Sequence, residues 1–201
     1  MLNELRKFKI LFVLLLSVLT GASAQAGFSP LGLSIIDPVQ FPPDDFTVTG
    51  ARLNLIWGQV QSVYGFDVGL GNVTTQSMNG IQVGALNLNR GTITAIGLQA
   101  GAIGNFNTNK ANIYGVQAAL GMNSNKAESV LVGLGVAAVN NTPFTKVVGA
   151  QVGLYNKAGN VYGFQIGIVN SAEYLHGIQI GLMNFNNHGL FSVSPFLNAG
   201  F

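Results

Sequence analysis

Tyr162-Gly-Phe-Gln-Ile-Gly-Ile-Val-Asn170 is followed fourteen residues later by His176-Gly-Ile-Gln-Ile-Gly-Leu-Met-Asn184. From the first glycine the unit reads Gly, apolar, Gln, apolar, Gly, apolar, any residue, Asn. Weaker copies begin at Gly65, Gly80, Gly97, Gly115, Gly133 and Gly149, at spacings of 14 to 18 residues. The second position after the glycine holds Asp67, Gln82, Gln99, Gln117, Gly135, Gln151, Gln165 and Gln179. Asparagine closes the unit at Asn72, Asn87, Asn140, Asn156, Asn170 and Asn184, and slips by one residue in the units of Gly97 and Gly115.

A period of two is the mark of a β-strand. One strand face is small and polar (Gly, Gln, Gly) and the other is large and apolar. Turn-like stretches such as Asn89-Arg90-Gly91, Asn105 to Lys110, Asn123 to Lys126, Lys157-Ala158-Gly159 and Asn186-Asn187-His188 separate the units. Asn and Gly supply the positive φ that tight hairpins need. The chain is read as about ten strands, beginning with Phe46 to Trp57. Gly-x-x-x-Gly pairs such as Gly163/Gly167 occur in packed membrane helices, but no apolar run after the N-terminal segment is long enough for one.

Only 8% of the 201 residues are charged, against roughly a quarter in a soluble domain. Residues 1–24 read as a secretory signal. Arg6, Lys7 and Lys9 precede the apolar run Ile10 to Leu19, and Ala22-Ser23-Ala24 offers a cleavage site. Loss of that segment lowers Lys plus Arg from 9 to 6 and Asp plus Glu from 7 to 6, leaving a formally neutral chain. The basic pI therefore carries no argument for nucleic acid as a partner. There is no cysteine. Residues 25–45, with Pro30, Pro38, Pro42 and Pro43, form a proline-rich leader, because proline removes ladder donors. Residues 46–201 are the repeat domain.

Two architectures fit. The one favoured by the sequence is an up-and-down antiparallel transmembrane β-barrel of the bacterial outer membrane, with a structural, surface or narrow-pore role. Each unit is then one crossing strand of ~9–11 residues with its apolar face to lipid. In that barrel Asp67, Gln82, Gln99, Gln117, Gln151, Gln165 and Gln179 face the lumen, and the partners are the lipid bilayer and a possible small solute. Phe191, Val193, Pro195, Leu197, Ala199 and Phe201 share one face of the last strand, as expected of a closing barrel strand. The alternative is a β-solenoid of 14–18-residue coils with the apolar face inside, a secreted or surface-attached adhesion protein.

The pattern from Asp37-Pro-Val-Gln-Phe-Pro-Pro43 through Tyr64-Gly-Phe-Asp-Val-Gly-Leu-Gly-Asn72 to Pro195-Phe-Leu-Asn-Ala-Gly-Phe201 resembles a family of uncharacterised bacterial surface-repeat proteins. The resemblance implies export and attachment to the envelope, with no assigned activity.

Catalytic and metal chemistry are thinly represented, and no catalytic residue, metal or cofactor is assigned. His188 with Ser192 or Ser194 and Glu173 is the one nucleophilic arrangement the sequence permits. Two histidines without clustered acids make a poor metal site. Arg52 and Asp67 are in-strand charges that either select solutes or form a structural ion pair. Trp57, Tyr64, Tyr114, Tyr155, Tyr162 and Tyr174 lie near strand ends, where interfacial aromatics anchor barrels.

Overall fold

The computed structural model describes residues 27–189 and 191–201, and over them the chain is all β. The signal segment lies outside the described residues. The strands are β1 (Phe28–Ile36), β2 (Val39–Phe41), β3 (Thr47–Asn89), β4 (Ile93–Asn107), β5 (Ala111–Ala119), β6 (Met122–Asn125), β7 (Ser129–Val136), β8 (Val139–Val152), β9 (Tyr155–Ile166), β10 (Val169–Asn186) and β11 (Val193–Gly200).

The register decides the architecture. Gly177 pairs with Gly163 and Gln179 with Gln165, in parallel. Gly163 pairs with Gly149 in the same sense, as do Gly149 with Gly133, Gly133 with Gly115 and Gly115 with Gly97. Each repeat therefore stacks on the one before it, and the chain winds a β-solenoid of about nine turns. The barrel expectation is overturned. Antiparallel pairing is confined to β1–β2 and β10–β11. The sheet order runs open-ended from β11 to β2, so β11 never meets the first strands. The short Asn/Gly segments are corners of a coil, not hairpins.

Each coil has two straight runs joined by two corners. Within the Gly149 coil, Lys146–Val152 lies against Asn160–Ile166 on one side, while Val139–Thr142 lies against Tyr155–Ala158 on the other. The drift in repeat length is absorbed at the corners. The register shift between Gly84 and Leu86 places Ala102 and Ile103 opposite Ala85 alone. This bulge accommodates the slipped asparagine of the Gly97 unit, and Asn105 pairs with Asn87 all the same.

The leader contributes structure to the stack. β1 pairs in parallel with the start of β3 (Leu31 with Ala51, Leu33 with Leu53) and so adds a layer below the first coil. β2 and β11 then pair antiparallel at opposite ends.

The solenoid also inverts the face assignment of the alternative reading. Gly and Gln point inward, and the large apolar side chains point out. Phe164, Ile166 and Ile168 are all exposed, whereas Gln151, Gln165 and Gln179 are fully buried. A coil of 14 residues encloses too thin an interior for several rows of Ile and Phe. Its main apolar row lies two positions before the repeat glycine (Val63, Met78, Ala95, Ile113, Leu131, Val147, Val161 and Leu175), with Val60, Ile93, Ala111, Ala158 and Ala172 buried beside it.

The repeat glycines hold the coils at their spacing. All eight have φ between 105° and 152°, a region that L side chains rarely adopt. At seven of them an added Cβ would overlap the carbonyl oxygen of the glycine one coil earlier; at Gly97 it would meet only Ile81 Cγ1, at 3.6 Å. Gly163→Ala should therefore lower unfolding stability by at least about 3 kcal/mol, and Gly97→Ala by clearly less. Urea titration of the two variants checks this. A Gly163→Ala protein as stable as wild type would show that the glycine column does not set the stacking.

Candidate functional site

Inside the solenoid, side-chain amides stack on their own kind. In the asparagine column, Asn54 Nδ2 donates to Asn72 Oδ1 at 2.7 Å, and the pattern continues without a break. Asn72, Asn87, Asn105, Asn123, Asn140, Asn156 and Asn170 each donate to the next member, ending at Asn184, at 2.8–3.0 Å. The second amide hydrogen is used as regularly. Asn72 donates to Val83 O, Asn140 to Val152 O, Asn156 to Ile166 O and Asn170 to Ile180 O. Those carbonyls all lie at the corner of the next coil. Each asparagine from Asn72 to Asn184 thus spends both donors and its acceptor, which is why a buried polar group is tolerated there; at the head of the column Asn54 Oδ1 has no partner.

The seven residues expected to line a lumen occupy the second column, and no barrel lumen exists for them to line. They are packed in the solenoid interior, each no more than 1% exposed. Gln82 Nε2 donates to Asp67 Oδ2, Gln99 to Gln82 and Gln117 to Gln99, at 2.9–3.0 Å. Gly135 interrupts the column, and Gln151 Nε2 turns instead to Thr142 Oγ1 at 3.0 Å. The column resumes with Gln165 donating to Gln151 and Gln179 to Gln165. A third, shorter column, Asn89 to Asn107 to Asn125, faces the glutamines across the interior. The sequence reading placed these three in turns.

Arg52 stands in the same column as Asp67, two residues after Gly50, as Asp67 is two after Gly65. Its Nε and Nη2 grip the two carboxylate oxygens at 2.8 and 2.7 Å, and its guanidinium also donates to Val73 O. Asn54 and Gln82 supply two further donors to Asp67. Both charges are buried. The pair starts the glutamine column with every lone pair engaged and opens onto no passage.

The nucleophilic arrangement is not assembled. His188 Nδ1 lies 3.0 Å from Glu173 O and 3.4 Å from Glu173 Oε1, but Ser194 Oγ donates to Leu197 O at 2.6 Å. The histidine rings stack instead on tyrosines, His176 on Tyr162 and His188 on Tyr174. Among the described residues no three His, Cys, Asp or Glu side chains cluster as metal ligands would. No described helix is long and apolar enough to cross a membrane.

The exterior carries the more unusual feature. Counted from each repeat glycine, positions −1, +1, +3 and +5 point outward along one broad side. Rows +1, +3 and +5 read Phe66, Val68, Leu70 in one coil, Phe164, Ile166, Ile168 in another, and Ile178, Ile180, Leu182 in the next. Row −1 adds Tyr64, Ile96, Tyr114 and Tyr162 along one border. Leu31, Leu33 and Ile35 of β1 prolong the side at one end, and Leu197 of β11 at the other. No Asp, Glu, Lys or Arg occupies these rows. Arg90, Lys126, Lys157 and Glu173 lie on the opposite side or at its corners, and Lys146 stands at the border of the face with Nζ 4.6 Å from the Tyr162 ring centre. The interior and the exterior face share one cause, since a strand whose even positions are spent on Gly and Gln leaves its odd positions outward.

Neither a family model, nor a curated protein, nor a solved structure matches this chain.

Two stability effects follow from the interior. Asp67→Ala leaves a buried guanidinium unpaired and should cost about 3–5 kcal/mol, while the double change Arg52→Met with Asp67→Leu should recover most of that loss. Asn156→Ala cuts the asparagine column and frees a donor of Asn140 and an acceptor of Asn170, at a cost of about 2–4 kcal/mol. Chemical denaturation of the three proteins measures both. Additive losses in the Arg52/Asp67 double variant would mean that the two groups do not act as a pair.

Proposed function

We propose that the protein is an exported, surface-attached bacterial interaction protein. Its solenoid is the rigid frame and its uncharged apolar side is the working surface. The observation that carries this reading is the lack of any Asp, Glu, Lys or Arg in four outward rows over the whole length of the stack. At about 4.8 Å per coil and 6.8 Å between rows, the side measures roughly 40 by 20–25 Å, on the order of 900 Å². Monomeric proteins rarely leave an apolar patch above about 300–600 Å² uncovered, and larger ones mark contact sites. Export is supported by the signal-like residues 1–24. With no lumen in the fold, a pore role is withdrawn.

Cells expressing the full sequence should release or display a chain that begins at Gln25. At dilution where both proteins are single chains, a purified Phe66→Lys, Phe164→Lys variant should bind an apolar dye at least about threefold more weakly than wild type, with an unchanged circular dichroism spectrum. A chain that stays in the cytoplasm with residues 1–24 attached would sink the export part. Equal dye binding by both proteins would sink the working-surface part.

A further inference from the structure

We infer that the apolar side is covered by the same side of a second copy of this chain, the two solenoids running in opposite directions. This names the partner of the surface proposed above and rests on that reading.

Three observations point to a second copy. The first is size. A face on the order of 900 Å² matches the roughly 800 Å² that each partner contributes to a stable interface. The second is charge. Among residues 27–201, Arg52, Arg90, Lys110, Lys126, Lys146 and Lys157 are balanced by Asp37, Asp44, Asp45, Asp67, Glu128 and Glu173. A chain with no net charge, with Lys146 over the Tyr162 ring at the border of the face, lacks the clustered basic residues by which peripheral proteins hold anionic lipid.

The third is shape, and it is specific. The face carries three apolar hollows, one by Leu33 and Leu53, one by Val152 and Ile166, and between them one of about 420 Å³ near the middle, lined by Ala100, Ala102, Ala118 and their neighbours. Beside it stands Leu120, 80% exposed. Both features come from the long central repeats. Their extra residue bulges the corner, and Leu120 falls in the break between β5 and β6. The layers number from β2 and β1, through the coils of Gly50 to Gly177, to β11. The midpoint of that stack lies between the coils of Gly97 and Gly115. Two flat faces related by a two-fold axis must have that axis in the plane between them. An axis along the strands at the midpoint sets Leu120 of each copy over the Ala102 corner of the other, with Ala100 and Ala118 beside it. The whole length of both faces is then paired, β1 layer against Gly177 layer. Strands of the two sheets stay aligned, as they do in stacked sheets ~10 Å apart. A knob and its hollow at the symmetry centre have no purpose against a fluid lipid surface.

The protein expressed from its full sequence is weighed by light scattering and sedimentation at micromolar concentration. Wild type should be a dimer. Leu120→Lys and, separately, Leu154→Lys should each weaken association at least tenfold, because each buries an ammonium in an apolar contact. Both side chains are exposed in the single chain, so circular dichroism and melting should be unchanged. The chain has no cysteine, so single spin labels report the geometry. A label at Val116 should lie within about 15 Å of its counterpart, and one at Ile178 about 40–45 Å from its own. A dimer whose Ile178 labels lie close together overturns the antiparallel pairing. A monomer that binds neutral vesicles, and loses them on Leu120→Lys, overturns the second copy and keeps the apolar working surface. A monomer that ignores vesicles overturns both.

Discussion

The structure depends on one constraint, that like stacks on like. In a parallel, in-register pile each residue has its own kind one coil above and below, about 4.8 Å away. For a primary amide this spacing suits both donors and the acceptor. The asparagine column uses it without a break from Asn54 to Asn184. The bond from each asparagine to a corner carbonyl of the next coil ties side chain to backbone where the chain changes direction. The repeat glycines make this possible, because a Cβ in their place would fill the gap between coils. Asparagine and glycine are thus one device.

The two main amide columns point in opposite directions. Each asparagine donates toward the next coil, while each glutamine donates toward the one before. A column of aligned donors must end somewhere, and the ends differ. Toward the start, the glutamine column ends on Asp67, an acceptor held by Arg52, so the last donor meets a full negative charge. At the other end Gln179 Oε1 has no hydrogen-bond partner. The buried ion pair is therefore an end fitting of the ladder, and its worth lies in four satisfied lone pairs more than in Coulomb attraction.

The alternation of faces was legible in the sequence, and so was the position of each repeat. What was misread was the direction of stacking. Identical residues at a constant spacing, such as Gln165 and Gln179, come together in a parallel coil and move apart in an antiparallel hairpin. That signal was present in the repeat itself. It was outweighed by Asn and Gly read as turn residues, whereas Asn89, Asn107 and Asn125 are interior ladder members. Arg52 was missed as a column member because its coil begins at Gly50, which the repeat pattern does not mark. Gly135 shows the opposite case, since the gap it leaves in the glutamine row is plain in the sequence, and Gln151 turns to Thr142 there while the backbone register runs on unbroken.

A fold held by stacked amides has a consequence for the surface. Most domains spend their large apolar side chains on the core, because burial is the dominant favourable contribution to folding. Here the core is thin, a main row of Val, Ile, Leu, Met and Ala with a few small neighbours, and the ladders add to the cohesion. Phe, Ile and Leu are left over for the outside in a chain that carries little charge. A protein can remain in that condition only if the face is met by something equally apolar. The face is flat because its strands are straight and in register, and a flat face is best matched by another of the same kind. The extra residues of the central coils mark such a face near its midpoint, through Leu120 and its neighbouring alanines. Without a mark, two uniform apolar sheets could slide by whole coils at almost no cost. The irregular repeats, which weaken the ladder at Gly135, are the features that would give the pairing one register.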